Sequence, residues 1–414
     1  MNKIPEINID SKMLEDWIMT ISKAGHHGET GVWRTLYSPE WVEATNIFSN
    51  WVTEAGLACR MDGVGNVWGT LKGEKDSLSI VSGSHIDTQC PGGRYDGTLG
   101  ILTALAAIKS LKEQFGEPKK TLEVVALCEE EASRFPSANF WGSRGITGAI
   151  DPDEVFKLKD FDGITMHDAM QSVGLDPNTI LKAKRTDIDC FIELHIEQGP
   201  ILENSNSPVG IVDAITGVRQ SHIWLKGEAN HAGAFPMDLR RDPMACFAEI
   251  SNALISAAEQ RGRPSVLTIG SCSVKPNRAG IIPSEVFFTI DCRHPDPEIL
   301  KKIHQDNEEV IRQIASRRDI TVEMKTQLDK VPCVSAPRLL QVIDTAAQTL
   351  TVKSEHIISG AGHDSQQMAK ICDVAMIFVQ SKDGRSHTQE EYSSIEHIVE
   401  GTKLLAKTFY ALAY

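Results

Sequence analysis

Three adjacent carboxylates, Glu129–Glu131, directly follow the apolar run Leu122–Cys128, which is typical of a buried strand. Carboxylates gathered at the end of a buried strand repel one another and lose hydration. A cation offsets both effects, and a metal ion does so at short range. This stretch therefore requires a fold in which a buried strand opens onto a charged site.

Further side chains of metal-ligand type follow other apolar segments or lie in a glycine-rich turn. The candidates are His85, Asp96, Glu131, His195 and His387. Two histidines and a shared carboxylate can hold one divalent ion, and the same carboxylate with another carboxylate and histidine can hold a second. For any one of the 13 histidines an isolated polar role is the more common outcome. Five candidates in such positions favour a metal-assisted hydrolase site.

Length and composition indicate a globular chain with two domains. At 414 residues it exceeds what one hydrophobic core usually serves. The formal net charge of −14 argues against nucleic acid or an anionic membrane as a partner, and a small-molecule substrate is expected instead. The apolar segment 101–108 is too short to span a bilayer.

The cysteines and the N-terminal residues indicate the cellular compartment. The nine cysteines are scattered, odd in number and without a CxxC pair, as in a protein that keeps reduced thiols. The first ten residues, MNKIPEINID, contain no basic region followed by an apolar stretch, so no secretory signal is expected. We therefore expect a cytoplasmic location.

The first half of the chain alternates strand and helix patterns. Leu78–Ser82, Leu122–Cys128 and Asp189–Leu194 are strand candidates, and apolar residues share one helical face over Thr98–Phe115. This alternation predicts an α/β fold with a mostly parallel sheet covered by helices. Ligands of such sheets bind beyond the carboxyl ends of the strands, which is where the candidate ligands fall.

The pattern changes near residue 214 to the order β-α-β-β-α-β, which is that of a ferredoxin-like α+β sandwich. In chain order the segments are Gly217–Lys226, Asp242–Gln260, Val266–Val274, Glu285–Cys292, Pro297–Ser316 and Ile320–Lys325. We predict an inserted domain at 214–328. Residues 1–213 and 329–414 then form the catalytic metal-binding domain, because His387 must rejoin the other ligands.

Two acidic residues beside the candidate ligands are predicted to act on them. Glu130 is a natural general base that takes a proton from water and delivers it to a leaving nitrogen. Alternatively, it pairs with Arg134 or Arg144. Asp87 can accept a hydrogen bond from the His85 imidazole and fix its tautomer, or it can cap a turn.

Other polar residues have weaker signals. Arg293 can grip a carboxylate with two parallel hydrogen bonds, although a surface salt bridge is equally compatible with the sequence. His231 can donate to a developing oxyanion, although a lone histidine is more often a loop or core residue. Gly92, Gly93 and Gly97 indicate backbone freedom around Asp96.

Together these residues resemble the hydantoinase/carbamoylase branch of the M20 metallohydrolase family. That branch includes N-carbamoyl-L-amino acid hydrolases, β-ureidopropionases and allantoate amidohydrolases. The resemblance extends from about residue 60 to 405. It rests on the strings GSHIDT (83–88), GGRYDG (92–97), EEEASRF (129–135), ELHIEQGPILE (193–203), NHAGAFPM (230–237), DCRH (291–294), SGAGHDS (359–365) and SxxxxSH, which ends at His387.

The resemblance implies a two-metal catalytic domain and a smaller domain that dimerises and closes over the substrate. Matched by position, the ligands are His85, Asp96 and His195 for one ion and Asp96, Glu131 and His387 for the other. The same matching makes Glu130 the base and places Gln198 and Arg293 against the substrate. His231 matches a histidine that polarises the scissile carbonyl from the neighbouring subunit, which implies a homodimer.

Two positions depart from the family pattern. Gly280 stands where the family usually has an asparagine that helps hold the substrate carboxylate, which puts the usual substrates in question. Ala132 stands where glycine is common after the acidic run, and this departure concerns backbone geometry.

We predict a metal-dependent amidohydrolase that cleaves a linear amide or ureido C–N bond, first of all in an N-carbamoyl amino acid or related ureido acid. Allantoate or ureidoglycolate hydrolysis and N-acyl amino acid cleavage are the alternatives. A binding protein that keeps the fold without catalysis fits poorly with an intact base and ligand set. Two divalent ions per subunit are expected, with Zn²⁺ first and Mn²⁺, Co²⁺ or Ni²⁺ also suited to these ligands.

Overall fold

The computed structural model describes residues 4–75 and 77–414. The chain forms two compact units, the larger built from Met1–Asp213 and Val334–Tyr414 and the smaller from Ala214–Cys333. The first boundary coincides with the predicted one. The second lies five residues beyond the predicted 328, because the last strand of the smaller unit continues to Lys330.

The described residues form eighteen β-strands. They are β1 (His26–His27), β2 (Gly31–Val32), β3 (Ala58–Met61), β4 (Val67–Leu71), β5 (Ser79–His85), β6 (Leu122–Leu127), β7 (Ile188–Ile196), β8 (Val209–Ile215), β9 (Gly217–Lys226), β10 (Asn230–His231), β11 (Val266–Thr268), β12 (Cys272–Lys275), β13 (Ile281–Ile282), β14 (Glu285–His294), β15 (Thr321–Lys330), β16 (Cys333–Val334), β17 (Ser354–Ser359) and β18 (Asp373–Val379).

The described residues also form twelve α-helices. They are α1 (Ser11–Ile21), α2 (Pro39–Glu54), α3 (Thr98–Phe115), α4 (Trp141–Thr147), α5 (Glu154–Lys157), α6 (Met166–Ser172), α7 (Ile201–Asn204), α8 (Pro243–Arg261), α9 (Pro297–Arg317), α10 (Pro337–Ala347), α11 (Ser365–Met368) and α12 (Ile395–Ala413). Among the described residues, no helix is long and apolar enough to cross a membrane.

A nine-stranded sheet forms the centre of the larger unit, in the order β16-β8-β18-β7-β5-β6-β4-β3 with β17 beside β8. The four middle strands, β18, β7, β5 and β6, are parallel to one another. Antiparallel strands β8 and β4 flank them. The predicted parallel sheet is thus confirmed for its core, and β5, β6 and β7 point their carboxyl ends to one edge.

Helix α3 covers this sheet and is buried along most of its length. Its apolar face packs on β5 and β6, and α12 packs on α3 from outside. Since the helix begins directly after Asp96 and Gly97, the packing that fixes α3 also fixes the turn that carries Asp96. The hydrophobic effect of this core therefore positions a candidate ligand.

The smaller unit has an antiparallel five-stranded sheet in the order β11-β14-β9-β15, with β12 also on β14. Helices α8 and α9 pack on it, and each begins with an aspartate cap followed by proline (Asp242–Pro243 and Asp296–Pro297). The predicted single strand Val266–Val274 is wrong in one respect. It consists of the two strands β11 and β12, separated at residues 269–271.

Candidate metal centre

The five candidate ligands converge at the carboxyl edge of the parallel strands. His85 ends β5, His195 is the penultimate residue of β7, and Asp96 precedes α3. One oxygen of Asp96, Oδ1, lies 3.4 Å from Nε2 of His85 and 3.2 Å from Nε2 of His195. These three side chains are buried and close enough to share one ion.

The other oxygen of Asp96 faces a second group. Its Oδ2 lies 3.3 Å from Nε2 of His387, and that nitrogen is 3.5 Å from Oε1 of Glu131. Glu131 follows β6 and His387 follows β18. The two oxygens of one carboxylate therefore point to different ligand groups, as a carboxylate shared by two ions must.

Both buried histidines have a tautomer suited to metal binding. Nδ1 of His85 lies 2.9 Å from the carbonyl oxygen of Asp87, and Nδ1 of His195 lies 3.0 Å from that of Ile196. Because a carbonyl only accepts, each Nδ1 carries a proton, which leaves Nε2 as the nitrogen that a metal ion can bind.

Asp87 accepts the hydrogen bond from the His85 imidazole through its backbone carbonyl, whereas the prediction had assigned it to the side chain. The carboxylate of Asp87 lies 4.0 Å from Nδ1 of His85, beyond hydrogen-bond distance. It accepts instead from the backbone N–H groups of Glu130 and Glu131, each at 3.3 Å. The tight backbone path after β5 brings the Asp87 carbonyl to the imidazole and turns its carboxylate towards the acidic run.

The electrostatics of the centre fit cation binding. Burial disfavours the charged form of Asp96, but hydrogen bonds from His195, His387 and His85 outweigh it and hold its pKa well below the usual value. Burial raises the pKa of Glu131, and the neighbouring Asp96 raises it further. Oε1 of Glu131 is buried without a hydrogen-bond partner. A buried oxygen with no donor, beside a charged carboxylate, is what a metal ion would satisfy.

Glu130 is close to this group without being tied to an arginine. Its Oε2 lies 4.0 Å from Nε2 of His85. Arg134 forms an ion pair with Asp160, and Arg144 forms one with Glu154. The alternative prediction, in which Glu130 pairs with one of these arginines, is therefore wrong. Burial raises the pKa of Glu130 well above its usual value, an environment that suits a group that accepts a proton.

Backbone geometry at the centre depends on two small residues. Gly97 has φ +63°, and a Cβ there would lie 2.3 Å from the His85 ring. Ala132 has φ +51°, in the left-handed region where glycine is the usual residue. The departure at Ala132 therefore concerns strain in the turn that follows Glu131.

Gln198 lies next to the shared carboxylate. Its side-chain amide donates to Oδ2 of Asp96 at 2.9 Å and to the hydroxyl of Ser386 at 3.2 Å. Its Oε1 is buried without a partner. A residue predicted only from the resemblance to touch substrate thus borders the ligand group.

Several neighbours of the ligands went unpredicted. The amide of Gln89 donates to Oε2 of Glu131 at 2.7 Å, and Ser386 donates to Oδ2 of Asp96 at 2.7 Å. Glu391 is buried and accepts from the backbone of Asp96 at 3.0 Å. Ser386 belongs to the motif that ends at His387, but Glu391 carries no local sequence signal.

Another group, Glu193, His195 and His363, also has metal-ligand spacing. Its carboxylate is already occupied. One oxygen of Glu193 accepts from Ser84, and the other accepts from the backbone and hydroxyl of Ser365. Glu193 therefore supports the end of β7 structurally.

His231 and Arg293 lie in the smaller unit. Nδ1 of His231 accepts the backbone N–H groups of Gly233 and Ala234, each at 3.1 Å, so its neutral ring carries the proton on Nε2. The Nε of Arg293 donates to Oδ1 of Asp291 at 2.9 Å, and its Nη2 donates to Oδ2 at 3.3 Å. The salt bridge considered from the sequence is therefore present, and the substrate roles of both residues remain predictions.

Gly280 lies beside His231 in the same unit. Strand β10 pairs with β13, and the backbone N–H of Ala232 donates to the Gly280 carbonyl at 3.0 Å. A Cβ added at Gly280 would meet no atom within 4 Å. The position that lacks the family's asparagine is therefore open and adjoins the histidine.

The fold and the ligand arrangement are those of a metal-dependent hydrolase, and known proteins identify the family. Residues 81–411 match Peptidase family M20/M25/M40. The allantoate amidohydrolase of Escherichia coli (strain K12) is 40% identical over 403 residues, with 97% of this chain and 98% of that protein covered. The N-carbamoyl-L-amino-acid amidohydrolase of Pseudomonas sp. (strain NS671) is 36% identical over 405 residues, with coverage of 96% and 97%.

A solved structure agrees over the whole chain. The crystal structure of an amidase of the hydantoinase/carbamoylase family from Burkholderia multivorans has a TM-score of 0.93 at 31% identity, with 99% of each chain covered. The chain therefore belongs to Peptidase family M20/M25/M40, in its hydantoinase/carbamoylase branch. It is a hydrolase of carbon–nitrogen bonds, as predicted.

Proposed function

We propose that this enzyme hydrolyses the ureido C–N bond of a ureido acid, with an N-carbamoyl amino acid as the first candidate and two divalent ions per subunit. The observation that carries the proposal is the carboxylate of Asp96, whose two oxygens face different ligand groups. His85 and His195 would complete the first metal site, and Glu131 and His387 the second. Two ions there would supply Lewis acidity that polarises a carbonyl and acidifies water.

Protein groups carry the proton. Glu130, adjacent to Glu131 and close to His85, accepts the proton of the attacking water and delivers it to the leaving nitrogen. For a carbamoyl substrate the C–N bond to the carbamoyl group breaks, and the products are an amino acid, carbon dioxide and ammonia. The metal ion that suits two imidazoles and carboxylates first is Zn²⁺, with Mn²⁺, Co²⁺ and Ni²⁺ as alternatives.

The smaller unit supplies two further roles in this proposal. The Nε2–H of His231 donates to the carbonyl oxygen as negative charge develops on it, and it does so from the partner subunit of a homodimer. Arg293 binds the substrate carboxylate. To do so, its guanidinium either leaves Asp291 or donates to Asp291 and the substrate at the same time. We propose a cytoplasmic location for this homodimer.

Allantoate is the second candidate substrate, and two observations favour it. The relatives at 40% and 39% identity are allantoate amidohydrolases from Escherichia coli (strain K12) and Bacillus subtilis (strain 168). Gly280 also leaves space beside His231, and allantoate carries a second ureido group that needs space. Both candidates are ureido acids, so the reaction and the proposed residues are the same.

A turnover screen tests the proposal directly. Metal-loaded enzyme is assayed for ammonia release from N-carbamoyl amino acids, allantoate and ureidoglycolate, and for free amine release from N-acyl amino acids. We expect release from at least one ureido acid and little from N-acyl amino acids. Turnover confined to N-acyl amino acids would refute the ureido assignment while leaving the amidohydrolase class intact.

A further inference from the structure

A buried carboxylate outside the ligand set holds the turn that carries Asp96. Glu391 is only 4% exposed. Its Oε1 accepts two consecutive backbone N–H groups, from Tyr95 at 2.9 Å and from Asp96 at 3.0 Å. Two donors on one carboxylate oxygen fix both the position and the direction of the peptide that leads into Asp96.

The second oxygen of Glu391 is linked to the loop that carries His387. Oε2 lies 3.2 Å from the hydroxyl of Ser386, and that hydroxyl lies 2.7 Å from Oδ2 of Asp96. Ser386 directly precedes His387 in the chain. One carboxylate therefore contacts the Asp96 turn through one oxygen and the His387 loop through the other.

The packing around Glu391 shows that the turn is shaped to receive it. A Cβ added at Gly93 would lie 2.2 Å from Oε1 of Glu391 and 2.3 Å from its carboxyl carbon. Real Cβ contacts are not that short, so any side chain at this position would displace the carboxylate. The absence of a side chain at Gly93 and the burial of Glu391 are thus complementary.

We infer that Glu391 is a positioning residue, which sets the distance between the shared carboxylate Asp96 and the ligand His387. The inference rests on the proposed metal centre and extends it beyond the ligands themselves. Residues that orient metal ligands from outside typically change metal affinity by about 10–100-fold when they are removed. Because Asp96 belongs to both ligand groups and His387 to one, the ion near His387 should be affected most.

The test measures metal binding without substrate. Metal-stripped wild type, Glu391→Ala, Glu391→Gln and the control Glu390→Ala are titrated with Zn²⁺ against a chromophoric chelator. Glu390 is the adjacent residue and is exposed. We expect Glu391→Ala to bind one ion about 10–100-fold more weakly and Glu390→Ala to match wild type.

Glu391→Gln separates hydrogen bonding from charge. Its amide oxygen can accept both N–H groups, and its NH₂ can donate to the Ser386 oxygen. We therefore expect Glu391→Gln to keep nearly all the affinity that Glu391→Ala loses. If both variants lose the same affinity, Glu391 acts through its charge and not by positioning, and the inference is wrong. Unchanged metal binding in a folded Glu391→Ala would also overturn the inference.

Gly93→Ala provides a second route, since its methyl group displaces the Glu391 carboxylate without removing it. We expect the same weakened ion as in Glu391→Ala. If both variants fail to fold while Glu390→Ala folds, Glu391 serves fold stability and the inference fails. The proposed function is judged separately, by whether wild type binds two ions and turns over a ureido acid.

Discussion

The carbonyl oxygen of Asp87 accepts the Nδ1–H of His85 at 2.9 Å, while the carboxylate of the same residue stays 4.0 Å from that nitrogen. A backbone carbonyl fixes the imidazole tautomer, so the tautomer does not depend on the side chain at position 87. The carboxylate is thereby left to hold the backbone of Glu130 and Glu131.

Asp87→Asn should therefore lower the catalytic rate more than it lowers the metal content. An amide has one accepting oxygen and turns an NH₂ towards one of the two backbone N–H groups, which disturbs the turn after β6. We expect near-normal metal content, a lower kcat and a lower melting temperature, because an unsatisfied buried group costs about 1–3 kcal/mol. Metal analysis by mass spectrometry checks this, and a metal loss as large as in His85→Ala would contradict it.

Chelation should abolish activity, and a divalent cation should restore it. The five ligands form two groups that have Asp96 in common, and these groups are expected to hold two ions per chain. His85→Ala and His387→Ala should each lower both metal content and turnover, since each removes a ligand from one group. Full activity in thoroughly metal-stripped protein would exclude this centre.

The acidic run should divide into a base and a ligand. Glu130→Gln keeps the side-chain size and removes the proton acceptor, so we expect a rate loss of about 10²–10⁴-fold with metal content largely kept. Glu131→Gln should lose metal. Parallel measurement of metal content and kcat decides the assignment, and the reverse pattern would exchange the two roles.

If His231 acts from the partner subunit, two inactive variants should complement each other. A mixed dimer of His231→Ala and Glu130→Gln chains contains one site with both residues intact, so mixing should recover part of the activity. The heterodimer is isolated with two affinity tags, and each homodimer serves as control. Absence of activity in the isolated heterodimer would place the action of His231 within its own chain or outside catalysis.

Arg293 and Gly280 should control substrate choice. Arg293→Lys should lower kcat/KM strongly, because an ammonium cannot reproduce the planar fork of a guanidinium. Gly280→Asn has room for its side chain and should improve small N-carbamoyl amino acids at the expense of a bulkier native substrate. The kcat/KM values for several ureido acids check both changes. An unchanged ranking in Gly280→Asn would show that this position does not read the substrate.

The sequence predicted what short-range patterns encode. Helix α3 has the predicted bounds Thr98–Phe115, because its apolar face repeats at helical spacing and Gly116 follows it. Strand β6 lies within the predicted Leu122–Cys128, because a short continuous apolar run is typical of a buried strand. The ligand candidates could be identified because side chains of metal-ligand type follow apolar segments or lie in the glycine-rich turn.

Contacts between distant parts of the chain could not be predicted. Glu391 and Gly93 meet through tertiary packing alone, and neither has a neighbour in sequence that signals the other. The break at residues 269–271 was also not predicted, and across it the core-facing positions shift from Leu267 and Ile269 to Val274. The Asp87 carbonyl was missed since backbone atoms are common to all residues and leave no sequence signal.

The chain order of the parallel strands has a consequence for protein synthesis. Strand β18 pairs with β7, yet the whole smaller unit, Ala214–Cys333, is translated between them. At about 5–20 residues per second, β7 waits roughly ten to thirty seconds for its neighbour. During that time it has an open edge, which invites pairing with other chains. A ribosome that stalls before Asp373 therefore leaves a product that lacks His387 and has an unpaired edge at β7.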